Sequence, residues 1–296
     1  MKNLRLLLSA FCLVAASNVV AKETVSTTTT RTRVSEDNAD TMSRWDTDVY
    51  LNYAFSMNSN FKNPNAAQFN TVATDDTDNA KLGDAVGLGL AINYNCCSWF
   101  TLGISGELYT PFQYSKAHTG AALATSHATA GEAEVLGGSG ATSAPYSRSF
   151  TLNHQSFMFN VYLHLPERLA WGVGHMNVMP LIGGGVGVGL NKVSNFASVG
   201  WSNLTAGSGA LQLTTLAAPN LKASVAGQAT AGLNFQPEGS DMSFGVAYRF
   251  YYGGKFNTGT KYQLNDTLNG GAVVTLDAWT GRLMTNQVSM FLNFEF

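Results

Sequence analysis

Two residues of opposite charge, Glu107 and Arg249, are the strongest candidates for chemistry in this sequence. Each stands in a segment whose apolar and polar residues alternate, and each has the polar parity of its segment. Such alternation is typical of a strand with one apolar face. A buried guanidinium needs a carboxylate partner because an unpaired buried charge is very costly. We therefore predict that both side chains face one interior and pair there, with Asp48 and Glu295 in the same charge network.

Glu107 and Arg249 belong to two of eight segments that alternate in this way. The predicted strands cover residues 45–57, 85–95, 99–112, a segment ending at 165, 180–191, 223–235, 242–252 and 286–296. Long connections follow the first, third, fifth and seventh strands, and shorter ones follow the second, fourth and sixth. This order is typical of an antiparallel up-and-down transmembrane β-barrel with long extracellular loops and short periplasmic turns.

The polar faces of these strands separate a membrane barrel from a soluble one such as a lipocalin. A soluble barrel turns its apolar side chains inward and its polar ones outward. Here the set opposite to the apolar face includes Asp48, Glu107, Arg249 and Glu295, which is too many charges for a soluble core. We expect the apolar faces to meet lipid and the charges to form a structural network that plugs the lumen.

One strand contains a change of parity. In the fourth strand, Phe150 and Leu152 have the parity opposite to the apolar residues that follow them. A bulge near residues 154–156, or emergence of the strand above the bilayer, would explain the change. Aromatic residues near the strand ends are expected to form two interfacial girdles, with Phe55 and Phe112 on the extracellular side.

The N-terminal region has the pattern of an exported protein. Two basic residues precede an apolar run over residues 6–16 that is too short to span a bilayer. We expect a signal peptide over residues 1–21, a flexible periplasmic tail over 22–44 and the barrel over 45–296. The mature chain contains no predicted transmembrane helix. A net charge of −2 gives no electrostatic reason to expect nucleic acid as a partner.

The C-terminal strand ends on an aromatic residue. Phe294 and Phe296 share the apolar parity of that strand and close the chain. We interpret them as the C-terminal insertion signature of an outer-membrane barrel, which predicts the barrel-assembly machinery as a partner during insertion.

Four sequence stretches carry a resemblance to a known family. They are residues 160–162 (Asn-Val-Tyr), 180–189 (Pro-Leu-Ile-Gly-Gly-Gly-Val-Gly-Val-Gly), 248–250 (Tyr-Arg-Phe) and the terminal Phe-x-Phe. Together they resemble the opacity-protein and OmpX-like family of small outer-membrane barrels. The resemblance implies an eight-stranded barrel in a Gram-negative outer membrane, often a surface antigen, an adhesin or a porin-labelled protein. The longer loops, the longer tail and the Cys-Cys turn depart from that family, so loop function does not carry over.

The remaining candidate sites are weaker. His154 and Ser156 are similar to the His-x-Ser pair of lipid A deacylases, but no acidic partner is identifiable. Residues 75–78 contain three Asp residues without the Gly and Glu of an EF-hand loop. Cys96 and Cys97 are adjacent, which is not a zinc spacing. The Gly-rich run 183–187 lacks the Lys of a nucleotide loop, and we expect its small residues to make room for large ones across the lumen. We expect no cofactor, no metal and no catalytic site.

Three functions remain open from the sequence. The first is a structural and surface-interaction scaffold that displays four exterior loops to host or envelope ligands, with outer-membrane lipid and lipopolysaccharide around it. The second is a small porin-like diffusion channel for ions or hydrophilic solutes. The third, a lipid A-modifying enzyme, rests on His154 and Ser156 alone.

Overall fold

The computed structural model describes residues 45–62, 81–97, 99–118, 146–164, 171–202, 211–265, 273–275 and 277–296. The predicted signal peptide, the predicted tail and the residues 75–78 lie outside these ranges. The described residues form strands and no helix. The strands are β1 (Trp45–Ser56), β2 (Ala85–Cys97), β3 (Phe100–Tyr109), β4 (Phe112–His118), β5 (Tyr146–His164), β6 (Trp171–Val173), β7 (Met176–Ser202), β8 (Leu211–Ala217), β9 (Asn220–Pro237), β10 (Met242–Asn257), β11 (Lys261–Asn265), β12 (Val273–Thr275) and β13 (Thr280–Glu295).

Eight strands close into a ring. They pair antiparallel in the order β1-β2-β3-β5-β7-β9-β10-β13, and β13 pairs back with β1. The predicted eight-stranded up-and-down barrel is therefore confirmed. From Ser56, successive cross-strand partners lead around the ring to Asp46, ten residues earlier on the same strand. A stagger of this size requires strands tilted by about 35–45° to the barrel axis.

The two faces of the wall differ as predicted. We call the end with Trp45 and Phe296 the lower end, and the end with the long connections the upper end. Large apolar side chains point outward along the lower and middle part of the wall. This apolar belt includes Leu88, Leu90, Ile92, Ile104, Leu108, Phe157, Phe159, Ile182, Val186, Val188, Val225 and Val246. Residues of the opposite parity are mostly small or polar and are buried inside.

The barrel continues beyond the belt at its upper end. There β4, β5, β7, β8, β11 and β12 form one antiparallel sheet. The paired upper halves of β10 and β13 lie next to residues 57–62, which bond to β13. Within residues 192–222 and 253–285, the strand length beyond the belt comes from β7, β8, β10, β11, β12 and β13.

One of the two explanations for the parity change, and one expected girdle residue, are wrong at this end. No register shift occurs near residues 154–156, and Phe150 and Leu152 keep the inward parity of His154. They are buried because the strand has left the belt and its inner face packs on other aromatic rings, so emergence above the bilayer is the better explanation. Phe112 is also buried rather than part of an outer girdle, whereas Phe55 is exposed.

Candidate functional site in the barrel interior

The Glu107 carboxylate is the centre of the middle lumen. Arg249 donates to one of its oxygens at 2.6 Å, and Tyr50 donates to the same oxygen at 3.0 Å. Tyr109 donates to the other oxygen at 2.5 Å. Glu107 and Arg249 come from β3 and β10, and both are almost fully buried. The structure thus brings together the two residues whose parity predicts a shared interior.

Amide and hydroxyl side chains extend this contact across the lumen. Arg249 donates to the side-chain oxygen of Gln228. The Gln228 amide donates to the Asn160 side chain at 2.6 Å, and the Asn160 amide donates to the Ser105 hydroxyl at 2.9 Å. On the other side, Gln287 donates to the Tyr109 hydroxyl at 3.0 Å, and Ser289 donates to Asn52 at 2.5 Å. We call this set the polar layer: Tyr50, Asn52, Ser105, Glu107, Tyr109, Asn160, Gln228, Arg249, Gln287 and Ser289. Its members come from six of the eight ring strands.

The other two ring strands contribute glycines to this level. A Cβ at Gly87 would lie 2.6 Å from the Tyr109 ring, and one at Gly89 would clash with the Tyr50 ring. On β7, Gly185 leaves the space that the Asn160 side chain fills. Inward glycines therefore make room for large neighbours, as the sequence predicts. The polar layer depends on β2 and β7 although they donate no side chain to it.

Asp48 and Glu295 lie lower than this layer. The Asp48 carboxylate accepts hydrogen bonds from Asn93 at 2.7 Å and from Asn293 at 2.8 Å, and the same two amides donate to Asp46. Glu295 is the register partner of Asp46. The barrel stagger separates these carboxylates from Arg249, so the predicted charge network falls into two groups. Phe294 and Phe296 are near the lower end, where Phe296 is exposed.

Directly above the polar layer, β10 bends inward past β9 and contacts β7, its second neighbour in the ring. Its Gly253 carbonyl lies against Gly189 of β7, and Gly254 has a φ of 89°, which favours glycine. The Asn191 amide of β7 donates to the Gly253 carbonyl at 2.8 Å and to the Lys255 carbonyl at 3.3 Å. We call this contact the crossing point. β7 and β10 are separated in the ring by β9 alone, so this contact narrows the interior beside β9.

His154 is part of the crossing point. One ring nitrogen lies 2.8 Å from the Asn191 side-chain oxygen, and the other lies 2.7 Å from the Tyr251 hydroxyl. His154 and Ser156 are each 1% exposed. Both imidazole nitrogens therefore have partners other than Ser156, and both side chains are buried in the interior.

Above the crossing point the interior is aromatic. The Phe61 ring lies 4.9 Å from Phe150, 5.2 Å from Trp279 and 5.6 Å from Tyr114 between centroids. The Arg148 guanidinium stacks on Trp279 at 4.3 Å. Burial raises the pKa of the Tyr262 phenol. The hydroxyl groups of Tyr262 and Thr258 are hydrogen-bonded at 2.8 Å. We call the enclosed set the aromatic core: Phe61, Phe112, Tyr114, Phe150, Leu152, Phe196, Phe256, Tyr262, Trp279 and Leu283.

Within the described ranges, no group of three or more His, Cys, Asp or Glu side chains is placed to hold a metal ion. Cys96 and Cys97 are free thiols at the lower end of β2. No helix in the described part of the chain is long and apolar enough to cross a membrane.

Comparisons with known proteins add little to this picture. No protein-family model matches the chain. No curated protein matches it either. The chain is similar to the solved structures of Neisserial surface protein A (8% identity, 85% of this chain and 97% of that one, TM-score 0.37), of the outer membrane protein OprG from Pseudomonas aeruginosa (12%, 86% and 98%, 0.39) and of the outer membrane protease OmpT from Escherichia coli (8%, 86% and 98%, 0.28). The predicted resemblance to small outer-membrane barrels is confirmed for the fold, which the strand pairing itself establishes.

Proposed function

We propose that this chain is an integral outer-membrane barrel with a closed interior that works as a scaffold for surface interactions. The observation that carries the proposal is the combination of an apolar outer belt with an interior filled at three successive levels. These levels are the polar layer, the crossing point and the aromatic core.

The apolar belt supports a membrane location. Val186, Phe157 and Ile104 are each at least 60% exposed, and comparable side chains surround the wall. A soluble monomer rarely exposes a continuous apolar surface of this extent. In a bilayer the same surface is satisfied, and a closed barrel leaves no unpaired strand edge in the hydrocarbon. Export through a cleaved signal peptide, and recognition of Phe294 and Phe296 by the assembly machinery, belong to the same proposal.

The upper end supports the scaffold role. The connections over residues 63–80, 119–145, 203–210 and 266–272 all leave from strands around the aromatic core. A packed base of this kind is how rigid proteins present binding loops. Host surfaces or other envelope components are the partners that this arrangement suits.

The interior argues against the channel and the enzyme. A diffusion channel needs a continuous aqueous path, whereas His154 of β5 bonds to Tyr251 of β10 at 2.7 Å and its ring lies 5.4 Å from that of Tyr109 on β3. A lipid-modifying enzyme needs a nucleophile open to lipid, whereas His154 and Ser156 are enclosed.

Limited proteolysis of intact cells tests the proposed orientation. We expect added protease to cut within the four upper connections and to leave the turn at residues 165–170 uncut until the outer membrane is permeabilised. A variant with the four connections replaced by short turns should still fold, and cells carrying it should lose the binding to host cells or envelope material that wild-type cells show. Cleavage at 165–170 in intact cells, or binding that survives the replacement, would contradict the proposal.

A further inference from the structure

Charge is unequally distributed between the two ends of the barrel. Arg249 is in the lumen, and the other basic residues of the described ranges all lie at the upper end: Lys62, Lys81, Lys116, Arg148, Lys192, Lys222, Lys255, Lys261 and Arg282. The described carboxylates at that end are Asp84 and Asp277. Asp46, Asp48, Glu238, Asp241 and Glu295 are at the lower end. The upper rim of the described structure is therefore strongly cationic.

Four of these cations lie on adjacent segments of one outer face, and we call them the cationic patch: Lys62, Lys81, Lys255 and Arg282. Lys255 and Arg282 are direct cross-strand partners, and both side chains are exposed. Directly paired residues of an antiparallel sheet share a face. Lys62 is bridged to Thr280, two residues from Arg282, and Lys81 is bridged to Asn58.

The patch begins where the aromatic girdle ends. On the outer face, the next pair toward the belt is Tyr252 with Met284, and the one after it is Phe250 with Asn286. Phe250 and Phe55 are exposed on this side of the wall. Exposed aromatic residues mark the boundary between hydrocarbon and head groups. If the chain spans a membrane as proposed, the patch lies at the level of the outer-leaflet head groups.

Among the described residues, no ion pair compensates the patch cations. Like charges directly opposite each other on a sheet are destabilising. The ion pairs between described residues are Arg249 with Glu107 and His175 with Glu238, so none includes a patch cation. Arg282 donates to the neutral amide of Asn60, and the Asp84 carboxylate accepts from Tyr53 and Ser56. An anion from outside would stabilise this arrangement.

We propose that the cationic patch binds the phosphate groups of a phosphorylated glycolipid of the outer leaflet, with its acyl chains on the apolar belt below. A guanidinium beside ammonium groups suits phosphate oxygens, which accept several charge-assisted hydrogen bonds. The adjoining hydrocarbon surface selects a lipid over a free anion. This inference rests on the proposed membrane location.

The test uses the full chain folded in an uncharged detergent, with binding followed by the rise in thermal unfolding temperature on adding diphosphorylated or dephosphorylated lipid A. The patch variant is Lys255→Gln with Arg282→Gln, and Lys62→Gln with Lys81→Gln is a second one. The matched control is Lys192→Gln with Lys261→Gln. It also removes two positive charges, at residues whose cross-strand partners are uncharged. We expect wild type to bind the phosphorylated form selectively, and the first patch variant to bind it about thirtyfold more weakly, as for two cations near an anionic surface.

Three results would overturn the inference: equal weakening in the control, equal binding of both lipids, or full protection by inorganic phosphate or heparin at the same concentration. Failure of the membrane proposal is recognised separately, because the mature wild-type protein would then remain monomeric in buffer without detergent.

Discussion

The polar layer and the aromatic core are two interiors built on the same strands, and they have opposite chemistry. Strand β5 passes through both: its inward side chains are Asn160 and Ser156 at the level of the belt, and Leu152 and Phe150 above it. Where the outer wall is apolar the inside is polar, and where the outer surface is cationic the inside is apolar. At each level, the outward side chains are therefore of the kind that the surroundings solvate, and the inward side chains are of the opposite kind.

The largest effect is expected from breaking the ion pair of the polar layer. Glu107→Gln leaves the Arg249 guanidinium buried without its carboxylate, and we expect a loss of about 3–5 kcal/mol in unfolding free energy. Urea unfolding of the barrel in lipid vesicles measures it. The double variant Glu107→Gln with Arg249→Met removes both charges and should recover most of the loss. If the single and double variants were equally unstable, the charge pair would not be the reason.

A somewhat smaller effect is expected in the aromatic core. Phe61→Ala removes the ring that contacts Phe150, Trp279 and Tyr114, and we expect a cost of about 3 kcal/mol from the cavity. Hydrogen exchange should show faster opening of β8, β11 and the upper part of β7, with the polar layer still protected. The control is Phe55→Ala, which truncates an exposed ring. Uniform loss of protection along the whole barrel would show that the two interiors are not separate.

The glycine positions of β2 offer an intermediate test. Gly89→Ala puts a methyl group into the Tyr50 ring, and we expect about 1–3 kcal/mol of destabilisation from overpacking. Gly106→Ala on β3 is the matched control, because its Cβ would meet ordinary contacts at 3.7 Å or more. Urea midpoints that were the same for both variants would contradict the assigned role of the β2 glycines.

The last test concerns the crossing point, where the expected effect has a similar size. Asn191→Ala removes hydrogen bonds to the carbonyls of Gly253 and Lys255, and we expect a loss of about 1–3 kcal/mol because buried acceptors remain unsatisfied. Asn153→Ala, at a partly exposed position of β5, should be nearly neutral. A neutral Asn191→Ala would mean that these hydrogen bonds do not hold β10 against β7.

Most of the wall could be predicted from the sequence, because a period of two sets the face of each residue once a strand is recognised. The parity also brought Glu107 and Arg249 together. Parity could not place Asp48 and Glu295 relative to Glu107 and Arg249. Their heights in the barrel depend on the stagger of ten residues around the ring, which follows from the register of the strands and not from parity.

The aromatic core was missed for a different physical reason. Parity tells which side chains share a face, but the medium beyond that face changes along the strand. Phe150 and Leu152 carried the signal, because they follow the inward parity without interruption. The Gly253-Gly254 pair was a second signal, since the register shifts at Gly254, which has a positive φ, and β10 bends inward there past β9.

Conductance across a planar bilayer tests the closed interior most directly. Monodisperse wild-type protein, shown to be folded by its heat-modifiable gel mobility after recovery from the bilayer lipid, should give no steady unitary openings at any moderate voltage. Reproducible openings of one size that scale with the amount of inserted protein would show a continuous aqueous path through the polar layer and the crossing point, and would contradict the closed barrel described above.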